Sequence, residues 1–97
     1  MRRKAEYNGW TNYETWAVNL WFYNDAGFEE MLREEAERFW EDDPETAVGQ
    51  LAEYMKSVVE DENPLAGQAS MYSDLLGGAI SDVDWFEIAE PYFENFE

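Results

Sequence analysis

Thr11-Asn12-Tyr13-Glu14-Thr15-Trp16-Ala17-Val18-Asn19-Leu20-Trp21-Phe22-Tyr23-Asn24-Asp25-Ala26-Gly27 carries the signals of a complete α-helix. Thr11 followed three residues later by Glu14 has the form of a capping box, which satisfies two backbone N–H groups that a helix start leaves without partners. Gly27 suits the left-handed position just past a helix end. Between these marks, Trp16, Ala17, Val18, Leu20, Trp21, Phe22 and Tyr23 cover nearly the whole circumference. A helix apolar on most sides belongs at the centre of a core, and that is the expectation here. Tyr7 and Trp10, just upstream, are placed to staple onto this helix.

Moving outward, the same period continues. Phe28, Met31, Leu32, Ala36, Phe39 and Trp40 form one stripe of a helix over residues 28–41, with Glu29, Glu30, Glu34, Glu37 and Glu41 on its other side. Asp42-Asp43-Pro44 breaks the chain and restarts it, Asp43 being a good N-cap and Pro44 a good first helical residue. A third stripe, Ala47, Val48, Leu51, Ala52, Met55, Val58 and Val59, ends at Glu60-Asp61-Glu62. Three acids at a helix C-terminus oppose its dipole, by a few tenths of a kcal/mol each. Asn63-Pro64 signals a turn. A fourth helix is expected over residues 69–79 through Met71, Tyr72, Leu75 and Leu76, with Gly77-Gly78 either weakening its last turn or admitting a close neighbour. Asp84 and Glu87 repeat the capping pattern around Trp85 and Phe86. Trp85, Ile88, Ala89, Tyr92, Phe93 and Phe96 make a fifth stripe that Pro91 should kink or divide. No segment alternates convincingly with period two, and no repeat or low-complexity tract occurs. The expected fold is all-α, four or five helices in one domain spanning residues 1–97, with residues 1–10 as an N-terminal arm.

The chain has 97 residues, of which 45% are hydrophobic and 18% aromatic, so material for a core is ample. It holds 23 acids against 6 bases, a net charge of −17, with no Cys and no His. That field repels nucleic acid and anionic membranes, which excludes mechanisms needing net attraction to either. The missing residues remove thiol chemistry, disulfides and the commonest general base and metal ligand. The uncharged, largely apolar run of residues 15–24 is far below the roughly 20 apolar residues that span a bilayer. The basic start Arg2-Arg3-Lys4 leads into no signal-peptide pattern, so a cytoplasmic location is expected. That start reads as a frayed tail or a loose partner of the acidic body.

No convergent catalytic site is legible, and no enzyme activity and no cofactor is expected. There is no Ser–His or Cys–His pair and no glycine-rich phosphate loop. Asp25, Asp42, Asp43 and Asp61 lack the spacing of a calcium loop, so no metal site is expected. The five tryptophans would need surrounding Lys and Arg to act as base-stacking platforms, and read instead as core filling.

The charge itself is the remaining signal, and it is uneven. Residues 1–24 sum to +1, residues 25–62 to −11 and residues 63–97 to −7. Carboxylates three and four apart on a helix lie about 5–6 Å from each other. Phosphates on one DNA strand are roughly 6–7 Å apart, within a duplex carrying one charge per ~1.7 Å of axis. A row of Glu30, Glu34, Glu37 and Glu41 approximates that spacing. Asp42, Asp43, Glu45, Glu53, Glu60, Asp61 and Glu62 could extend it, with Asp82, Asp84, Glu87 and Glu90 as a second patch. The expected partner is a basic DNA-binding surface on a host protein or ribonucleoprotein complex, with no direct binding of nucleic acid or membrane. Solubility alone asks for a net charge magnitude of about 2–8 in a small domain. Adaptation to high salt is a rival explanation, as is an adaptor that binds through a hydrophobic patch. Exposure of Trp21, Trp40 or Trp85 would favour the adaptor.

The motif Tyr7-Asn8-Gly9-Trp10-Thr11-Asn12-Tyr13-Glu14-Thr15-Trp16, continuing to Asn19-Leu20-Trp21 and Asn24-Asp25, resembles a family of small proteins from phages, plasmids and bacterial mobile elements. Asp74-Leu75-Leu76 and Val83-Asp84-Trp85-Phe86-Glu87-Ile88-Ala89-Glu90 resemble that family's C-terminal pattern, from which Pro91 departs. The resemblance implies no activity; its motif residues read as a helix cap and core aromatics that define the fold. By size and charge the chain also resembles DNA-mimic inhibitors of the anti-restriction and anti-CRISPR kind, a likeness of electrostatics without a residue motif.

Overall fold

A computed structural model describes residues 6–96. At its start Tyr7 and Trp10 exchange backbone hydrogen bonds of 2.8 Å each across a tight reversal. Asn8 and Gly9 sit there at φ of 48° and 88°, the left-handed region that Gly and Asn tolerate best. The reversal folds the Tyr7 ring against Tyr13 and Trp16, with centroids 5.1 and 4.9 Å away, and places Trp10 on the core. The expected staple onto the first helix therefore forms. Arg2, Arg3 and Lys4 lie outside the described residues.

The first helix, α1, spans Tyr13–Tyr23, and its N-cap is Asn12, one residue later than expected. Asn12 is extended and its Oδ1 accepts from the Thr15 amide at 2.9 Å. The Thr11 amide, which a capping box would join to Glu14, donates instead to Glu87 Oε1 at 3.2 Å. The helix ends at Asn24, and Asp25 immediately caps the next one by accepting from the Phe28 amide at 3.1 Å. Gly27 is thus not a stop but lies inside α2, Ala26–Asp42.

α2 is followed by a turn and then by α3, Ala47–Asp61. The restart falls three residues after the expected one: the Asp43 carboxylate accepts from the Glu45 amide and caps the turn, while Thr46 stands at the head of α3. Residues 64–67 form the turn signalled by Asn63-Pro64, with Asn63 Oδ1 accepting from the Leu65 amide at 2.8 Å. α4, Met71–Ser81, is capped by Ser70 and buries no side chain. α5, Trp85–Ala89, passes directly into a 3-10 helix, Glu90–Phe93, so Pro91 divides the last helix as expected.

α3 packs against both α2 and α5 and forms the frame with them, the 3-10 helix closes onto α2, and α1 lies against α2 and α5. Leu32, Leu51, Met55 and Ile88 are fully buried at its centre, each stabilising by about 1.5–3 kcal/mol. Ala36, Ala47, Ala52 and Ala89 are buried among them, small residues that let helix axes approach closely. Trp40, Phe93 and Phe96 close one end with ring centroids 5.4–6.1 Å apart.

The stripes expected for α2, α3 and the last helix therefore supply the core, apart from Met31 and Val58, which lie outside it, and the fold is all-α. The central position expected for α1 is not observed. Only Thr15 and Phe22 are buried on it, while Tyr13, Trp21 and Tyr23 are exposed. Residues 15, 18 and 22 share one narrow face, and one face is all that α2 and α5 cover. Nor do Gly77 and Gly78 admit a neighbour: a Cβ added to either would meet nothing within 4 Å.

Candidate functional site

The N-terminal motif and the C-terminal pattern meet in space. Asn12 Nδ2 donates to the Asp82 carbonyl at 2.8 Å, Thr11 N to Glu87 Oε1, and the Asp84 amide to Thr15 Oγ1 at 2.9 Å. Thr15 is fully buried, so its hydroxyl is a fixed acceptor rather than a solvated one. Asp84 Oδ1 also accepts from the Glu87 amide at 3.1 Å, the second capping pattern read from the sequence. Asp84 and Glu87 are thereby committed to holding α1 on α5. Of the second acidic patch, Asp82 and Glu90 alone stand exposed.

The row on α2 has a different setting. Glu30, Glu34, Glu37 and Glu41 are all exposed, and at 3.6 residues per turn they fall within an arc of about 60°. The two basic side chains of α2 pair elsewhere: Arg33 with Glu29 at 3.4 Å, and Arg38 with Glu35. Glu29 is held from a second side by the Tyr92 hydroxyl, which donates to its Oε2. Burial and then this carboxylate hold the Tyr92 phenol protonated well above the usual tyrosine range. Among the described residues, no member of the row takes part in an ion pair.

Two adjoining clefts run beside this row and share Tyr23, Glu29, Arg33 and Glu37. One continues over Trp10, Tyr92 and Phe96, the other over Glu30 and Glu34. The remaining carboxylates do not gather around them. Glu45 and Glu53 line a separate hollow with Phe39 and Tyr54, Glu60 lines another beside Lys56, and Glu62 borders a groove under Trp21. Asp42 and Asp61 are exposed at helix ends, and Asp43 is spent on its turn. The acidic surface is thus one coherent row on α2 with dispersed carboxylates around it.

Among the described residues, no three His, Cys, Asp or Glu side chains converge to hold a metal ion, and no helix is long and apolar enough to cross a membrane. The surface also carries large apolar side chains: Trp21, expected as core filling, is 75% exposed, and Tyr72 and Leu75 on α4 are nearly as open. No local signal marks this on α1, where the polar Thr15 is fully buried and the apolar Trp21 faces solvent. No curated protein and no solved structure matches the chain. A family model matches residues 3–89, which take in the N-terminal motif and the C-terminal pattern up to Ala89: the chain belongs to DUF7249, a family of unknown function.

Proposed function

We propose that this protein is a non-catalytic acidic inhibitor, encoded by a phage or mobile element, that occludes the positively charged DNA-binding surface of a host defence complex of the restriction or CRISPR kind. The observation that carries the reading is the un-neutralised row on α2. Four exposed carboxylates stand on one helical face while the flanking arginines pair with Glu29 and Glu35 outside it. A charge row of this kind steers a basic partner and competes with phosphates for its cations. The test is a pull-down from host lysate with and without competitor duplex DNA, repeated with Glu30, Glu34, Glu37 and Glu41 changed to Lys. Loss of the partner in both arms is the expected result. A partner retained in the presence of duplex, or by the reversed protein, would sink the reading.

A second reading, a small helical adaptor of phage origin without a defence target, has one observation in its favour. Trp21 is largely exposed, whereas a tryptophan is highly buried on average. Binding through an apolar patch is what such a residue at the surface suggests.

A further inference from the structure

Beneath Trp21 runs a groove of about 660 Å³ between the end of α1, the start of α2 and the end of α3. Its apolar wall is Trp21, Phe28, Met31, Val58 and Val59. Phe28, Val58 and Val59 are half-buried, and Met31 is at the edge of exposure. Asp25 and Glu62 border it, and no Lys or Arg lines it. The described bases all face elsewhere: Arg33 into the clefts beside Tyr23 and Glu37, Arg38 onto Glu35, and Lys56 into the hollow with Glu60.

We infer that this groove receives a basic amphipathic helix of a partner protein, its aliphatic face against Trp21 and Met31 and its Lys or Arg flanks toward Asp25 and Glu62. The inference rests on the apolar-patch reading and is independent of the acidic row on α2. An apolar trough between helices is the receptor form of helix-in-groove recognition. A tryptophan at its lip is the residue type that most often carries binding energy. Charge decides among occupants. A second copy of this chain would bring −17 against −17. Its own exposed apolar helix, α4, carries Asp74 and lies in a stretch, residues 63–97, with no base at all. Nucleic acid and anionic lipid are repelled by the same carboxylates. A cationic helix alone satisfies both the wall and the rim.

The probe is a fluorescein-labelled synthetic helix of Leu and Lys, with Leu spaced i, i+3, i+4, i+7. A scrambled peptide of identical composition and a Leu/Glu peptide of the same pattern are the controls, with binding read by anisotropy near 0.15 M salt. The patterned Leu/Lys helix should bind at least tenfold tighter than the scramble, and the Leu/Glu helix should not bind. Trp21→Ala leaves the charge unchanged at an exposed site and should weaken the patterned peptide tenfold or more without altering the scramble. Met31→Ala should act in the same direction and serves as the second variant. Equal affinity for patterned and scrambled peptides, or unchanged binding by both variants, would overturn the inference. So would a concentration-dependent dimer in sedimentation that Trp21→Ala abolishes. Failure of the reversed α2 row in the pull-down would bear on the acidic-face reading alone, because neither groove variant touches it.

Discussion

Thr15 is the residue on which the two halves of the chain depend most directly. It is fully buried and its hydroxyl accepts the Asp84 amide, 69 positions away. Thr15→Val keeps the shape and removes the acceptor, leaving a backbone N–H unpaired in the interior. That should destabilise by about 1–3 kcal/mol, while Thr15→Ser, which restores the oxygen, should recover most of the loss. Urea unfolding of the three proteins checks this, and equal midpoints for Val and wild type would refute the role. Tyr92 makes a second residue-scale prediction. In the unfolded chain a tyrosine titrates near pH 10. In the fold, burial first and the Glu29 carboxylate second keep its proton on to higher pH. Above about pH 10 the folded state therefore binds more protons than the unfolded state, and stability falls as pH rises through that window. The Tyr92 contribution is fully present below it. Tyr92→Phe should lower stability by about 1–2 kcal/mol at pH 7, through loss of a charge-assisted hydrogen bond, and should flatten the alkaline decline. Unfolding midpoints at pH 7 and pH 11 give both quantities.

At the scale of elements, α4 is the exception among the longer helices. It buries no side chain, and its two glycines face open space. Glycine inside a helix costs about 0.8–1.0 kcal/mol relative to alanine, and here no close approach repays it. Gly77→Ala and Gly78→Ala should each slow amide exchange in α4 by about fivefold. An unchanged or faster exchange would refute the cost assigned to the two glycines. The helices whose burial could be read from the sequence are those whose neighbours cover one full stripe. In α2, Leu32 and Ala36 recur at helical spacing, as do Ala47, Leu51 and Met55 in α3, and the core follows that period. The same reasoning fails on α1, where apolarity all round is not burial all round. What limits its burial is the number of partners, a tertiary quantity absent from any local window. The cap of α1 shows the same limit. Thr11 and Asn12 can both cap a helix, and the choice falls to Asn12 because Thr11 and Asn12 each also bond to residues 82–87. Asp84 and Glu87 were legible as a capping pair, and each gives one carboxylate oxygen to a backbone amide there. The α2 row was legible because exposure opposite a strong apolar stripe follows from geometry alone.

The whole molecule measures 44 × 35 × 24 Å and carries −17. At 0.01 M salt the screening length, about 30 Å, spans the thickness of the body, so carboxylates on opposite faces repel one another. At 0.15 M it shrinks to about 8 Å, and only neighbours along one helix still interact. Stability should therefore climb steeply from 10 to 150 mM NaCl, by roughly 1 kcal/mol or more, which is about 4–8 °C in Tm for a domain of this size. It should then flatten, because once the screening length falls below the roughly 5–6 Å between neighbours on a helix, little repulsion is left to screen. A halophilic protein behaves differently: its midpoint keeps rising into molar salt, where Coulomb screening is already complete. The same measurement constrains binding. Screening that relieves self-repulsion also weakens a basic partner's attraction to the α2 row, so affinity through that row should fall across the range where stability rises. Binding through the Trp21 groove should fall less, since much of it comes from apolar contact. Thermal scans and titrations over one salt series thus separate charge retained for docking from charge retained for life in brine. A midpoint still climbing at 2 M NaCl would favour the second.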